Sequence, residues 1–374
     1  MKIAIITQPL LRNYGGILQA YALQHHLQNL GHNVQIIDYQ GNATPQCRNY
    51  LSIIKNALLK YVLRKNIVSI YPYSMDKKRE ATLGQNILPF IHRNIQRTNT
   101  VRDFRTLNSM GFEAFVVGSD QVWRPLYNKY YLNEMFLTFA KDTTVKRIAY
   151  SASFGVSEWE FNDDQTKMAK SALAKFDAVS VRESAAVKMC QQYLNTTAQH
   201  VIDPTLLLPK DHYIQLINQE KENSSSGSLF TYIFTHSIEK EKIIKEVAST
   251  LGLMPFDIHT NTIYNETYHA HIPISVSGWL KAFHEAKFII TDSFHGVVFS
   301  IIFNKPFFVI PHEERGAARF DSLLQLFGLE ERLINEKSTI FADKINRPID
   351  WENVNKTLQQ EREKATLFLT QVLK

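Results

Sequence analysis

The chain has 374 residues and a mass of 43.2 kDa, which is too long for one ordinary hydrophobic core, so two domains are expected. An apolar content of 44% and a charged content of 21% are ordinary for a soluble globular protein, and no run of about 18 apolar residues predicts a membrane-spanning helix. The two cysteines, Cys47 and Cys190, lie far apart, which suggests neither a disulfide framework nor a structural zinc site and favours a cytoplasmic location.

The formal charge of +6 and the pI near 9.0 come from one segment of the chain. Positions 48 to 105 contain twelve Lys and Arg but only three Asp and Glu, a net charge of +9. Since the whole chain has +6, the rest of it has a net charge of −3. The run LSIIKNALLKYVLRKNIVSIY interleaves apolar and basic residues and predicts a helical insertion at about 40–110. Its basic face is either solvated or approaches negative charge, which would be anionic lipid at the inner face of the membrane, as a peripheral contact, or a phosphate-linked acceptor. Nucleic-acid binding is not expected, because the basic residues lack interleaved aromatics or a recognisable motif.

The first elements in chain order form a βαβ unit. Residues 2–7 are an apolar strand, apolar residues from position 17 to position 30 recur at helical spacing, and residues 34–38 form the next strand. Gly15 and Gly16 precede the helix. They would let the backbone approach a ligand, although a tight turn explains the pair equally well.

The next strand, at 112–117, is followed by the polar turn GSDQVWRP. Asp120 and Gln121 can bind hydroxyl groups, Ser119 suits the turn, and Trp123 offers a flat apolar face. Such a mixture suits a sugar. Asp120 could equally be a helix cap.

A strand at 147–151 and a helix ending near 175 lead to the turn SVRE. Arg182 follows an apolar run at a strand-to-helix turn, where it could bind a carboxylate or phosphate through two hydrogen bonds. An ion pair with Glu183 or another acid is the alternative. The segment HVIDPTLLLP then closes a first domain, predicted at 1–208.

The second half, predicted as a domain at 209–350, repeats the alternation of strands and helices. Its predicted elements are a strand at 229–234, a helix at 238–252, a strand at 254–259 and a helix at 276–287. The tail at 351–374 is a long helix that we expect to pack back on the N-terminal domain.

The densest polar signal in an apolar region is FIITDSFHGVVFSIIFNKPFFVIP at 288–311, which predicts strand, turn, helix and strand. Asp292, Ser293, His295 and Gly296 gather where a strand ends and a helix begins. Ligands bind there in open α/β sheets, because free N–H groups and the positive end of the helix dipole face the crevice. A histidine at that place suits proton transfer. The alternative is that the first two residues only cap the helix and the histidine is an interior one.

A polar loop with Arg315 follows, and Arg319 begins an amphipathic helix at 320–329. Arg319 could face an anion, or could lie on a solvated flank of the helix.

Several motifs together resemble the polysaccharide pyruvyl transferase family. They are NYGGILQAYAL at 13–23, VGSDQVWRP at 117–125, SFG at 153–155, SVRE at 180–183, DP at 203–204, TDSFHG at 291–296 and RFDSLL at 319–324. The fold implied by the resemblance is GT-B-like, with two Rossmann-like α/β domains facing across a cleft.

The resemblance implies transfer of a pyruvyl group from phosphoenolpyruvate to paired hydroxyls of a sugar or lipid-linked oligosaccharide, with release of phosphate. No metal and no cofactor beyond this donor substrate is expected. The implied catalytic residues are His295, as general acid or base, and Arg182, against the donor anion. The implied donor side comprises Asp292, Ser293, Gly296, Arg315 and Arg319, and the implied acceptor side comprises Asn13, Tyr14, Gly15, Gly16, Ser119, Asp120, Gln121 and Trp123.

The motif departs from the family at one position. Some members carry Arg-Leu-His where this chain has Ser293-Phe294-His295, so one phosphate partner is missing. Arg315 or Arg319 replaces it, or the donor or reaction differs. Two other functions stay open: a GT-B glycosyltransferase using a nucleotide sugar, and a non-catalytic glycan-binding relative.

Overall fold

The computed structural model describes residues 1–39, 72–141, 144–222, 224–258, 263–266, 269–311, 318–336 and 342–374, with the backbone alone at 72–77 and 318. The chain forms two parallel β-sheets with helices, as the sequence predicted.

The first sheet takes its strands from the first 200 residues. They are β1 (Lys2–Ile6), β2 (Asn33–Ile36), β3 (Ala114–Val117), β4 (Lys146–Ala152), β5 (Ala178–Val181) and β6 (Gln199–His200), in the order β2-β1-β3-β4-β5-β6. The helices of this half are α1 (Tyr14–Asn29), α2 (Pro72–Leu83), α3 (Leu88–Asn94), α4 (Leu132–Met135), α5 (Asp163–Leu173) and α6 (Ser184–Leu194), with 3-10 helices at Phe104–Ser109 and Pro204–Leu207. Every strand pair of this sheet is parallel, so all its carboxyl ends meet at one edge.

The second sheet is built from later parts of the chain. Its strands are β7 (Leu229–Tyr232), β8 (Pro255–Phe256), β11 (Phe288–Thr291) and β12 (Phe307–Val309), in the order β12-β11-β7-β8, and β9 (Tyr264–Asn265) pairs antiparallel with β10 (Ala270–His271) outside it. The helices are α7 (Lys210–Asn218), α8 (Ile238–Leu251), α9 (Val276–Glu285), α10 (Phe294–Ile302), α11 (Ala318–Phe327), α12 (Ala342–Asn346) and α13 (Trp351–Val372), with a 3-10 helix at Glu330–Arg332.

The strand, turn, helix and strand predicted at 288–311 are confirmed as β11, α10 and β12. The strands are buried on both faces, as a continuous apolar run in a covered parallel sheet predicts. Ser293 caps α10, its side chain accepting from the N–H of Gly296 at 3.3 Å. The strand predicted at 254–259 is shorter than expected, because only Pro255–Phe256 pairs, at the edge of the sheet.

The two halves meet where α1 begins. The ring of Tyr14 stacks on Trp279 with centroids 5.3 Å apart, and its hydroxyl donates to the carbonyl of Ile274 at 2.8 Å. These side chains belong to one apolar cluster that includes residues of both sheets. The start of α1 is therefore held against the second half by packing as well as by a hydrogen bond.

The C-terminal helix α13 reaches the first half of the chain. Arg362 donates to the carbonyls of Leu206 and Leu208 at 2.6 and 2.8 Å, and Lys146 donates to the carbonyl of Val372. The helix also packs against α11 of the second half.

The basic segment predicted at 48–105 lies partly outside the described residues, which resume at 72. Its described part holds α2, α3 and the 3-10 helix Phe104–Ser109. Within the parts of the chain that the structure covers, no helix is both long and apolar enough to cross a bilayer. Peripheral membrane contact stays a prediction.

Candidate active site

His295 lies in the first turn of α10, between the two halves of the molecule. Its ring is buried, and its Nε2 is 3.7 Å from Oδ2 of Asp203. The other ring nitrogen faces the start of α1, where a Cβ placed on Gly15 would lie only 2.0 Å from Nδ1. Gly15 therefore lets the helix backbone approach the imidazole. The sequence predicted such an approach toward a ligand; the structure places a histidine there.

Asp203 is the carboxylate that faces this imidazole, and its side chain is fully buried. It accepts from the N–H and hydroxyl of Thr205 at 3.0 and 2.7 Å and from Arg182 at 2.9 Å. Burial alone would raise the pKa of Asp203, but the neighbouring His295, the positive charge of Arg182 and the hydrogen bond from Thr205 outweigh it and hold that pKa well below its usual value. Asp203 is therefore ionised and can orient the imidazole and stabilise its protonated form.

Arg182 does not face the cleft. Its side chain is 1% exposed and donates to Asp120 at 3.1 Å and to Asp203 at 2.9 Å, while its guanidinium lies 4.4 Å from the centre of the Phe294 ring. These contacts correspond to the alternative interpretation, an ion pair with an acidic residue. The main partners are Asp120 and Asp203 rather than Glu183. The expected direct contact between Arg182 and a donor anion is thus corrected: the guanidinium holds Asp203, which holds the histidine.

Arg319 does line the cleft, in the first turn of α11. Its guanidinium lies 5.6 Å from the centre of the Phe294 ring. Burial and the nearby charge of Arg182 lower the pKa of Arg319 to about 10, so it stays positively charged at neutral pH. A cation in a partly desolvated wall is suited to an anionic group. Arg315, the other predicted donor contact, lies outside the described residues.

Asp292 lines the cleft and also fixes one of its loops. Its carboxylate is fully buried and accepts from the N–H groups of Phe234 and Thr235 at 2.8 and 3.0 Å and from Lys240 at 3.0 Å. It thus fixes the loop after β7, from which Phe234 and His236 line the cleft. The predicted donor-side role of its carboxylate becomes one of holding this loop.

Ser293 and Gly296 build the turn that carries the histidine. A Cβ on Gly296 would lie 2.2 Å from the hydroxyl oxygen of Thr291, so only glycine fits there without a shift. Ser293 lines the cleft in addition to capping the helix. Both residues therefore position the first turn of α10, and with it the histidine.

Two residues predicted to contact a sugar are buried instead. Ser119 and Trp123 are fully covered, with Ser119 donating to the carbonyl of Ser151 and Trp123 donating to the carbonyl of Met135. The indole also stacks on Phe136, with centroids 5.1 Å apart. Neither side chain lines the cleft, so the expected direct contact with an acceptor is corrected: Ser119 is held against β4, and Met135 and Phe136 at the end of α4 cover Trp123.

Other residues predicted on the acceptor side do reach the cleft. Asn13, Tyr14, Asp120 and Gln121 line it. Asn13 also caps α1 by accepting from the N–H of Gly16 at 3.2 Å, so Gly16 itself is a helix residue rather than a wall of the cleft.

The cleft has a volume of about 570 Å³ and receives side chains from both halves. The first half contributes Arg12, Asn13, Tyr14, Asp120, Gln121 and Tyr127, and the second contributes Thr231, Tyr232, Ile233, Phe234, His236, Asp257, Ile258, His271, Pro273, Asp292, Ser293, Phe294, His295 and Arg319. The predicted two-domain, GT-B-like arrangement with a cleft between the sheets is thus observed.

Several lining residues were not predicted from the sequence. Arg12, Tyr127 and His236 stand in loops and His271 ends the short strand β10, and no local pattern separates these four from solvated side chains. Asp203 was missed as a site residue although the dipeptide at 203–204 was noticed. Its role depends on its distance to a histidine 92 positions away.

A family model described as polysaccharide pyruvyl transferase matches residues 13–314. The chain belongs to the polysaccharide pyruvyl transferase family. The matched stretch includes Asp203 and His295 and ends before Arg319, so the cleft cation in α11 lies beyond the matched residues. A search of curated proteins by sequence finds no match.

Solved structures similar to this member of the polysaccharide pyruvyl transferase family share little sequence with it. MurG of Acinetobacter baumannii has a TM-score of 0.44 at 11% identity, covering 99% of this chain and 98% of its own. UDP-GlcNAc 2-epimerase of Neisseria meningitidis has a TM-score of 0.47 at 10% identity, covering 100% and 99%. The epimerase of Methanocaldococcus jannaschii in complex with UDP-GlcNAc and UDP has a TM-score of 0.47 at 12% identity, with the same coverage.

Proposed function

We propose that the protein transfers a pyruvyl group from phosphoenolpyruvate to two hydroxyls of a sugar in a cell-surface polysaccharide or its lipid-linked precursor. The product is a cyclic pyruvate ketal, and inorganic phosphate is released. The observation that carries the proposal is the pairing of His295 with the buried Asp203 at the wall of a cleft that Arg319 also lines. Family membership supports the same reaction class.

Binding of the donor needs positive charge, because phosphoenolpyruvate carries a carboxylate and a phosphate. Arg319 supplies a guanidinium in the wall of the cleft. The first turn of α10 supplies the positive end of a helix dipole, since Ser293, Phe294 and His295 line the same cavity. These groups stand on the second half, which is therefore the donor side.

The proton transfers can be assigned to one imidazole. The imidazolium of His295 gives a proton to C3 of phosphoenolpyruvate, so the methylene becomes a methyl group and positive charge develops at C2. A sugar hydroxyl adds to C2, and the neutral imidazole takes its proton. The C2–O bond to phosphate then breaks, the second hydroxyl adds to C2, and its proton leaves with phosphate. The proton of the first hydroxyl thus restores the imidazolium of His295, which had given its proton to the methyl group. The proton of the second hydroxyl leaves with the phosphate.

Asp203 supplies the counter-charge of the histidine. Its negative charge lies 3.7 Å from Nε2, where it favours an imidazolium and faces one side of the ring. Arg182 holds this carboxylate and that of Asp120 from behind, outside the cleft. The buried charges therefore form one network that ends at the imidazole.

The same network accounts for the serine that replaces the arginine of the Arg-Leu-His arrangement. Both Arg182 and Arg319 lie against the ring of Phe294, the residue between Ser293 and His295. The guanidinium of Arg319 thus lies beside the turn Ser293-Phe294-His295, which lacks the arginine of the Arg-Leu-His arrangement. We assign the phosphate contact to Arg319.

The proposal is tested by measuring phosphate release from phosphoenolpyruvate with a panel of hexosides and lipid-linked acceptors. We expect release with the wild type, loss of at least 100-fold in His295→Ala, and a raised KM for phosphoenolpyruvate in Arg319→Gln. His92→Ala is the matched control, because His92 is exposed on α3. Release of nucleoside diphosphate from a nucleotide sugar without any release of phosphate, or sugar binding without turnover, would contradict the proposal.

A further inference from the structure

A second cavity lies beside the cleft, on the first half of the molecule. It has a volume of about 540 Å³, and its walls are the loops that follow β1, β2 and β3. Residues that line this cavity and not the catalytic cleft are Gln8, Pro9, Leu11, Tyr39, Asn128 and Tyr131. It thus occupies the carboxyl edge of the first parallel sheet, where α/β proteins bind ligands.

The two cavities lie side by side and share a wall, and we refer to the pair as the groove. Arg12, Asn13, Asp120, Gln121 and Tyr127 line both of them. All five belong to the half opposite the helix that carries His295. A ligand that reaches the histidine from the first half therefore lies against side chains that also line the second cavity.

The charges in the shared wall are matched within the protein. Arg12 donates to Glu80 at 3.1 and 3.3 Å, and Asp120 accepts from Arg182 at 3.1 Å. An anionic ligand would have to compete with Glu80 for the guanidinium. A neutral ligand has no such conflict.

The remaining chemistry of the second cavity fits a sugar ring. Tyr39, Tyr127 and Tyr131 provide aromatic surface with hydroxyl groups. The amide nitrogen of Gln8 donates to the carbonyl of Gln121 at 3.1 Å and to the side chain of Asn128 at 3.0 Å, which leaves its amide oxygen to accept from a ligand hydroxyl.

We infer that the second cavity is a subsite for the next sugar of an oligosaccharide acceptor. The inference rests on the proposed function: the sugar to be modified lies at His295, and its neighbour in the chain lies against Tyr131 and Gln8. The acceptor is therefore at least a disaccharide, and a single hexose fills only part of the groove. Two rings bound along the shared wall bury more apolar surface than one, so we expect them to bind more tightly.

The test is isothermal titration calorimetry in the absence of phosphoenolpyruvate. Methyl β-glucoside, methyl β-galactoside and methyl β-mannoside are compared with cellobiose, lactose and β-1,4-mannobiose. We expect at least one disaccharide to bind tenfold or more tightly than its monosaccharide glycoside. The variant Leu11→Trp, which fills the second cavity from an exposed position, should remove this difference. Leu126→Trp is the matched control, because Leu126 is also exposed and lines neither cavity.

Equal affinities for all pairs, no sugar binding at all, or a Leu11→Trp protein that keeps the disaccharide preference would overturn the inference. Its failure can be told apart from failure of the proposed reaction, because the titration needs no turnover. A disaccharide preference without phosphate release would keep the subsite and refute pyruvyl transfer. Phosphate release at equal kcat/KM with mono- and disaccharide acceptors would keep pyruvyl transfer and refute the subsite.

Discussion

Adding one methyl group at Gly15 should disable the protein without unfolding it. A Cβ at this position would lie 2.0 Å from Nδ1 and 2.2 Å from Cγ of His295. Ordinary contacts of a Cβ begin near 3.4 Å, so the imidazole has to retreat by about 1.4 Å. A displacement of about 1 Å in a reacting group costs on the order of 100-fold in rate. We therefore expect kcat for phosphate release to fall at least 100-fold in Gly15→Ala.

The neighbouring glycine provides the control. At Gly16 a Cβ would meet its nearest atom, the side chain of Asn13, at 3.2 Å, which a shift of a few tenths of an ångström relieves. Both glycines lie in the first turn of α1, so the two changes to alanine should alter the stability of the helix itself by a similar amount. In a helix interior, alanine stabilises by about 0.5–1 kcal/mol relative to glycine. Gly16→Ala should keep kcat within a few fold of the wild type.

The assay is phosphate release from phosphoenolpyruvate at saturating acceptor, with unfolding midpoints in guanidinium chloride measured alongside. The reasoning holds if Gly15→Ala loses turnover while its midpoint stays close to that of Gly16→Ala. A Gly15→Ala protein with wild-type kcat would refute it, because the imidazole would then be free to move without consequence, and His295 would not be the proton carrier.

Three further predictions follow from the buried charges. Asp203→Asn removes the charge 3.7 Å from Nε2 of His295, an interaction of about 4 kcal/mol at an effective dielectric constant near 20, so kcat should fall about 10²- to 10³-fold with little change in the KM for phosphoenolpyruvate. Lys240→Met leaves the carboxylate of Asp292 buried without its cation and should lower the free energy of unfolding by about 3 kcal/mol, measured by guanidinium denaturation. Burial and a neighbouring histidine lower the pKa of His212 from 6.5 to about 4, so the unfolded chain takes up a proton first as the pH falls. The free energy of unfolding should be retained above about pH 6.5 and decrease toward pH 4. For this half-buried group the decrease at pH 5 should be about 1 kcal/mol, and His212→Gln should make it smaller.

Each of these predictions has an outcome that contradicts it. Lys242→Met, on the exposed face of the same helix, serves as the control for Lys240→Met, and equal stability losses in the two would show that the buried ion pair is unimportant. Unchanged turnover in Asp203→Asn would remove the carboxylate from the mechanism. An unfolding free energy that is the same at pH 7 and pH 5 would contradict the lowered pKa of His212.

The sequence predicted the parts of the fold that local pattern determines. The continuous apolar runs at β1, β3 and β11 could only be buried parallel strands once helices alternated with them. The helix start after Asp292 was also predictable, because a serine cap, a small residue and an apolar run lie in the required order. Strand β8 was overestimated because pairing at a sheet edge depends on a neighbour rather than on the strand itself.

The candidate site was predictable only in part, because side-chain partners distant in sequence decide its roles. The turn that carries His295 has a local signature. Nothing near Arg182 shows that Asp120 and Asp203 bind its guanidinium, and nothing near Trp123 shows that Phe136 covers it. A polar turn after a strand therefore predicts the edge of the sheet where a ligand binds, and the fold determines which of its side chains reach that ligand.

The most direct test of the central claim is the reaction of phosphoenolpyruvate and acceptor in D₂O, followed by NMR of the modified sugar. If His295 delivers the proton to C3, the ketal methyl group of the wild-type product carries a single deuteron, and His295→Ala forms no ketal above one hundredth of the wild-type rate. A ketal formed at the wild-type rate by His295→Ala, or an acceptor that gains no ketal from the wild type, would contradict the account.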